Sequence, residues 1–143
     1  MGNRRKIGTE YEQKTAEYLE SLGWKILERN YRCRIGEIDL IALDGRTLVF
    51  VEVKYRRSGA CGSPGEAVDV RKQHTICRVA DYYRMVHGIS ETQSCRFDVA
   101  AVQGERLELL RNAFPYRQKP GGRKRSHMAG KGRKYGTAEM EES

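Results

Sequence analysis

The stretch GEIDLIALDGRTLVFVEVKYR, residues 36 to 56, constrains the fold of this chain most. It reads as two apolar strands, Glu37 to Leu43 and Thr47 to Tyr55, joined at Asp44-Gly45, a strong two-residue hairpin signal. Charges interrupt both strands: Asp39 in the first, Glu52 and Lys54 in the second. A charge in a mostly buried strand needs a partner or a metal. With Asp44-Gly45 as the loop, Leu43 pairs with Arg46 and Asp39 lies opposite Phe50. Side chains alternate along a strand, so Asp39, Phe50, Glu52 and Lys54 then share one face. Asp39 and Glu52 become diagonal neighbours, roughly 7–8 Å apart at Cα.

Two carboxylates so close repel each other. Either one takes up a proton or a cation sits between them. Hard oxygen donors without His or Cys suit Mg²⁺ or Mn²⁺. Lys54, one pleat further on, falls beside such a site. Acid, acid and lysine around a divalent ion is equipment for phosphodiester hydrolysis. The competing reading is an exposed Glu52–Lys54 ion pair with Asp39 as a charge near the turn. Glu37, opening the strand, reads as solvated. Asp98, in RFDV, has Arg96 beside it on the same face and reads as structural.

The surrounding pattern sets this hairpin in an α/β domain. Tyr11, Thr15, Tyr18, Leu19 and Leu22 recur at helical spacing over residues 7 to 22, and Gly23 stops that helix. Glu12 stands four and seven residues before Ala16 and Leu19, at the edge of the apolar face. Trp24 to Arg29 reads as an edge strand. Beyond the hairpin, Ser63-Pro64-Gly65-Glu66 has capping-box spacing and predicts a helix running to about His87. Its one side carries Val70, Gln73, Ile76, Ala80 and Tyr83. RFDVAAV, the Gly104-Glu105 turn and RLELLRNAF add two more strands. The order is α-β-β-β-α-β-β, a mixed β-sheet flanked by helices.

Composition sets the outer limits. The 143 residues suit one domain with a core, and the formal net charge is +8. From Pro115 to Ser143 there are eight Lys/Arg against three Glu, leaving 19 basic against 16 acidic residues for 1 to 114. Residues 1–114 therefore read as the domain, and 115–143 as a basic tail too poor in aliphatics to order itself. A basic balance favours polyanion partners. No apolar run approaches the roughly 20 residues of a membrane span, and the charged N-terminus has no signal-peptide core. Cysteines 33, 61, 77 and 95 and histidines 74, 87 and 127 show no metal-ligand spacing. Scattered thiols of this kind fit a reducing cytoplasm, so a cytoplasmic location is expected.

Glu12…Asp39…Glu52-Val53-Lys54 resembles the signature of the PD-(D/E)xK, restriction-endonuclease-like nucleases. More narrowly, RCRIGEIDLIALDGRTLVFVEVKYRRS, GSPGEAVDVRKQ and RFDVAAV…NAF resemble the YraN-type family of small bacterial proteins, related to archaeal Holliday-junction resolvases. The resemblance spans about residues 8 to 114. It implies Asp39 and Glu52 as ligands of Mg²⁺ or Mn²⁺, with the Val53 carbonyl and Glu12 completing the set. It implies Lys54 as the residue that positions the attacking water. Gln73 matches a polar position near the resolvase site, with a helix-face glutamine as the alternative. Arg56, Arg57, Arg71 and Lys72 would contact phosphates. DNA is the implied partner, branched or single-stranded, and a symmetric homodimer is carried over with it. One departure stands out: members of that family usually have Gly where this chain has Tyr11. Two readings remain, a metal-dependent endonuclease and a nucleic-acid-binding module of the same fold that does not cleave; the acids beside Lys54 favour the first.

Overall fold

The computed structural model describes residues 2–56 and 68–117, with side chains described from residue 8 onward. The elements run α1 (Gly2–Ser21), β1 (Lys25–Arg32), β2 (Glu37–Asp44), β3 (Thr47–Tyr55), α2 (Val70–Val86), β4 (Cys95–Gln103) and β5 (Arg106–Phe114). The α-β-β-β-α-β-β order is as the sequence predicts. The sheet order is β1-β2-β3-β4-β5, with β1 at an edge. All neighbours are antiparallel except β3 and β4. That parallel pair requires a crossover, and α2 lies within it.

Each sheet face carries one helix. Phe50, Phe97, Ile41, Ile76, Val79, Ala80 and Tyr83 pack together between the sheet and α2. Ala16, Leu19, Trp24, Leu40, Val49 and Val51 pack together between the sheet and α1. The alternation of β3 is thereby fixed: Leu48 and Phe50 face α2, Val49 and Val51 face α1. Gly36 brings the start of β2 against α2. A Cβ there would lie 2.9 Å from Thr75 Cγ2, so a larger residue would push the strand off the helix.

Several boundaries differ from the sequence reading, each for a physical reason. The hairpin loop is Gly45-Arg46, not Asp44-Gly45, because Asp44 pairs with Thr47 as part of the strand. Gly45, at φ +64°, takes the first loop position, as in the hairpin turns that begin with glycine. The buried Arg96 holds Asp44 in the sheet through an ion pair of 2.9 Å. The pairing moves by two residues, and Glu52 and Lys54 keep one face of β3, but β2 breaks its alternation near Asp39: Ile38 and Ile41 both join the α2-side cluster while Leu40 packs on the α1 side. Asp39 is not opposite Phe50, which pairs with Ile41; the ladder ends at Leu40–Val51, and Asp39 reaches β3 through its carboxylate, which accepts the Val53 N–H.

The α1 face also turns slightly. Thr15, Ala16 and Leu19 are fully buried, whereas Tyr18 and Leu22 are exposed, because the stripe follows the i, i+3, i+4, i+7 line through Glu12. α2 starts at Val70, capped by Asp69, whose carboxylate accepts from the Lys72 N–H. Val68 and Asp69 are non-helical, so the helix does not run on from Ser63; the capping-box residues themselves lie outside the described residues. Val70 is exposed, while Gln73, Ile76, Ala80 and Tyr83 are buried as predicted. Finally, the packed chain passes Phe114, the expected domain end. Tyr116 packs edge-on to Phe97 and its hydroxyl donates to Asp81 at 2.6 Å. The Arg117 N–H donates to Cys77 Sγ. Pro115 to Arg117 therefore lie on the domain, and the remainder of the predicted tail falls outside the described residues.

Candidate functional site

The site lies at the end of the sheet where the β2–β3 ladder stops. Beyond Leu40–Val51 the strands part, and the Asp39 carboxylate itself accepts the Val53 N–H at 2.7 Å. That bond fixes Asp39 against the backbone of β3. Glu52 follows Phe50 onto the α2 face and is 6 % exposed, which for a carboxylate demands compensation. Lys72, in the first turn of α2, supplies part of it through an ion pair to Glu52 Oε2 at 3.3 Å. Lys54, half-buried, draws both acids toward their charged forms.

The electrostatics record the strain of this arrangement. Burial, and then the Asp39 charge, pushes the Glu52 carboxyl up to about 7, against the pull of Lys72 and Lys54. Burial raises Asp39 as well, and the Val53 N–H opposes it. Glu12 reaches toward the same end from α1. Burial and Asp39 raise its pKa, while the hydrogen bond that Asn30 Nδ2 donates to Glu12 Oε1, 2.8 Å long, lowers it. Asn30 achieves this from a left-handed backbone, φ 51°, opposite Asp39 in the β1–β2 register. Glu37, by contrast, is exposed and pairs with Arg32.

Two hard carboxylates, both raised by burial and Glu52 further by Asp39, fit a divalent cation such as Mg²⁺ or Mn²⁺. Among the described residues, no three His, Cys, Asp or Glu side chains converge into a ligand group. The fit thus rests on Asp39 and Glu52, with Glu12 standing off on Asn30.

The other expected residues divide. Lys72 meets Glu52, and Arg71 lies exposed beside it on α2. Arg56 is half-buried just past β3, its N–H donating to the Val102 carbonyl. Arg57 is outside the described residues. Gln73 is buried with both ends of its amide engaged: Nε2 donates to the Val68 carbonyl at 2.9 Å, and Oε1 accepts from Arg117 Nε at 2.7 Å. It braces the α2 entry and Arg117. Asp98 has the structural place that its neighbour Arg96 suggested. Fully buried, it accepts from Arg96 Nε at 3.0 Å and from the Asn112 N–H at 2.9 Å. Arg96 and Arg111 both lie over the Trp24 ring.

Asn30 and Arg117 belong to the site's surroundings and were not singled out in the sequence. Nothing local marks Asn30 except its tolerance of the left-handed region. Arg117 stands among basic, aliphatic-poor residues whose composition resembles solvent-exposed tail.

Comparison with known proteins agrees with this architecture's sequence. Residues 11–102 match the family described as "Uncharacterised protein family UPF0102". A UPF0102 protein of Lachnoclostridium phytofermentans is 46% identical over 112 residues, covering 78% of this chain and 95% of that protein. One from Alkaliphilus oremlandii is 51% identical over 115 residues, covering 77% and 98% respectively. One from Symbiobacterium thermophilum is 49% identical over 115 residues, covering 77% and 97%. With most of the chain matched, and these relatives matched over nearly their whole lengths, the chain belongs to the UPF0102 family.

Proposed function

We propose that this protein is a divalent-metal-dependent endonuclease that hydrolyses phosphodiester bonds in DNA, and that its fold is related to the PD-(D/E)xK nucleases. One observation carries the reading: Asp39 and Glu52, both held up in pKa by burial, meet at the end of a sheet with Lys54 and Lys72 as cations. An isolated structural ion pair does not need two acids and two lysines at a strand end. Asp39 and Glu52, with the Val53 carbonyl and Glu12, would hold Mg²⁺ or Mn²⁺. When bound, such an ion supplies Lewis acidity toward a phosphate oxygen and makes water a stronger acid.

The chain's own residues do the rest. The Val53 N–H keeps Asp39 oriented without a side-chain rearrangement. Lys54, on the same face as Glu52, positions water and offsets charge gathering on the phosphate. Lys72, Arg71, Arg56 and Arg57 hold flanking phosphates, and Gln73 keeps the first turn of α2 in place for them. Branched or single-stranded DNA is the substrate class we favour, with a homodimer as the form that would match a junction's two-fold symmetry.

A second reading has its own support. Lys72 already neutralises Glu52, and Glu12 is held by Asn30. A binding module that does not cleave would be balanced in this way. Cleavage of labelled duplex, single-stranded and four-way-junction DNA with Mg²⁺ or Mn²⁺ separates the two. The enzyme reading expects cutting by the wild type, loss of at least about a hundredfold in Glu52→Ala and Lys54→Ala, and retention in a chain ending after Arg117. Shifted bands without cutting, equal in wild type and Glu52→Ala, would establish the binding module instead.

A further inference from the structure

We propose that Tyr11 and Tyr55 form a platform for an unpaired DNA base beside the acidic site; the inference builds on the reading of that site as one that handles nucleic acid. The two rings are stacked, with centroids 4.6 Å apart and planes 17° apart. Tyr55 is 51% exposed, so the stack is not a core contact.

Strand geometry explains why the pair sits there. Lys54 follows Glu52 onto the α2 face, and Tyr55, one residue on, turns to the α1 face. There it meets Tyr11, the residue before Glu12 on α1. The C-terminal end of β3 thus presents a cation to one side and an aromatic ring to the other, immediately beyond the carboxylates. The rings brace each other, and their hydroxyls interact as well, so a third ring added to the stack finds its support already ordered.

The occupant follows from charge and shape. The chain is strongly basic, at +8, and half-buried Lys54, exposed Arg71, and Lys72, which pairs with Glu52, lie around the adjoining site. An aromatic surface flanked by cations takes a base by its π-face and the backbone by its phosphates. A base within a duplex has both faces covered by its neighbours, so only an unpaired one can add to the stack. The platform would therefore favour single-stranded or flapped DNA over continuous duplex.

The test is binding in EDTA, which leaves cleavage out of the readout. Fluorescence anisotropy would compare a labelled oligothymidylate about twelve nucleotides long with an abasic phosphodiester strand of equal length. The wild type is expected to prefer the strand with bases. Tyr55→Ala and Tyr11→Ala should each weaken that strand by about tenfold and leave the abasic strand unchanged. Tyr55→Phe should bind as wild type, and Tyr55→Leu, which keeps apolar bulk without a ring face, should behave as Tyr55→Ala. Circular dichroism checks that each variant is folded. Equal losses on both strands, no loss in Tyr55→Leu, or no wild-type preference for bases would overturn the proposal. A protein that stacks bases but never cuts would sink the nuclease reading alone. Metal-dependent cutting without base preference would sink the platform alone.

Discussion

Glu52 is the residue on which stability and chemistry pull in opposite directions. Its carboxyl ordinarily titrates at 4.5 and is pushed up to about 7 in the fold, by burial first and Asp39 second. Between those values the folded protein keeps a proton that the unfolded chain has released. Stability is therefore full below pH 4.5 as far as this group is concerned, and falls as pH rises through the window to 7. The loss amounts to roughly 3 kcal/mol at most, and Asp39, also raised, acts in the same direction. Glu52→Gln, which cannot ionise, should be more stable than wild type at pH 8 by about 1–3 kcal/mol and should flatten the dependence across the window. Urea unfolding in EDTA across pH would measure this. A wild type whose stability rises through the window would refute it. Such a residue is retained at a cost to the fold, which is what a functional site commonly imposes.

At the scale of elements, the hairpin is positioned by a strand outside it. Gly45 permits the turn, yet Asp-Gly and Gly-Arg are both acceptable loops in Leu-Asp-Gly-Arg-Thr. Arg96 on β4 selects between them by drawing Asp44 into the sheet, with Asp98 on its other side and Trp24 beneath. The Gly104-Glu105 loop has no such competitor and lies where local turn chemistry puts it. Replacing Arg96 with Met would take the ion-pair partner from Asp98 and leave its buried carboxylate with the Asn112 N–H. We expect a loss of about 3–5 kcal/mol. The single tryptophan reports it directly, because Trp24 emission should change as the stacked guanidinium is removed. Unchanged stability in urea would mean that the register is set by the turn alone.

At the scale of the whole molecule, two helices on opposite faces of one sheet converge on the same end of it. α1 brings Glu12 and Tyr11, α2 brings Lys72, and the strands between them carry Asp39, Glu52, Lys54 and Tyr55. The segment after β5 closes the α2 side. Tyr116 bonds to Asp81 and lies under Arg84, and Arg117 is held by Gln73. A chain ending after Phe114 should therefore melt several degrees below one ending after Arg117, roughly 4–8 °C for each kcal/mol lost in a domain of this size. Equal melting temperatures would show that these contacts contribute nothing. Among the described residues no helix is long and apolar enough to cross a membrane.

The sequence by itself determined the element order, the edge position of β1, and the shared face of Glu52 and Lys54. Those depend on periods of 2 and 3.6 residues, which are local and survive an error of one residue in the turn because the pairing then moves by two. Tertiary structure decided the rest: the loop register, the Asp39 carboxylate on the Val53 N–H, Asn30 beside Glu12, Lys72 against Glu52, and the aromatic pair of Tyr11 and Tyr55. Each of these joins residues far apart in the chain through an ion pair, a hydrogen bond or a packed ring. Their energies depend on neighbours that periodicity does not name, so they become defined only when both helices have closed on the sheet.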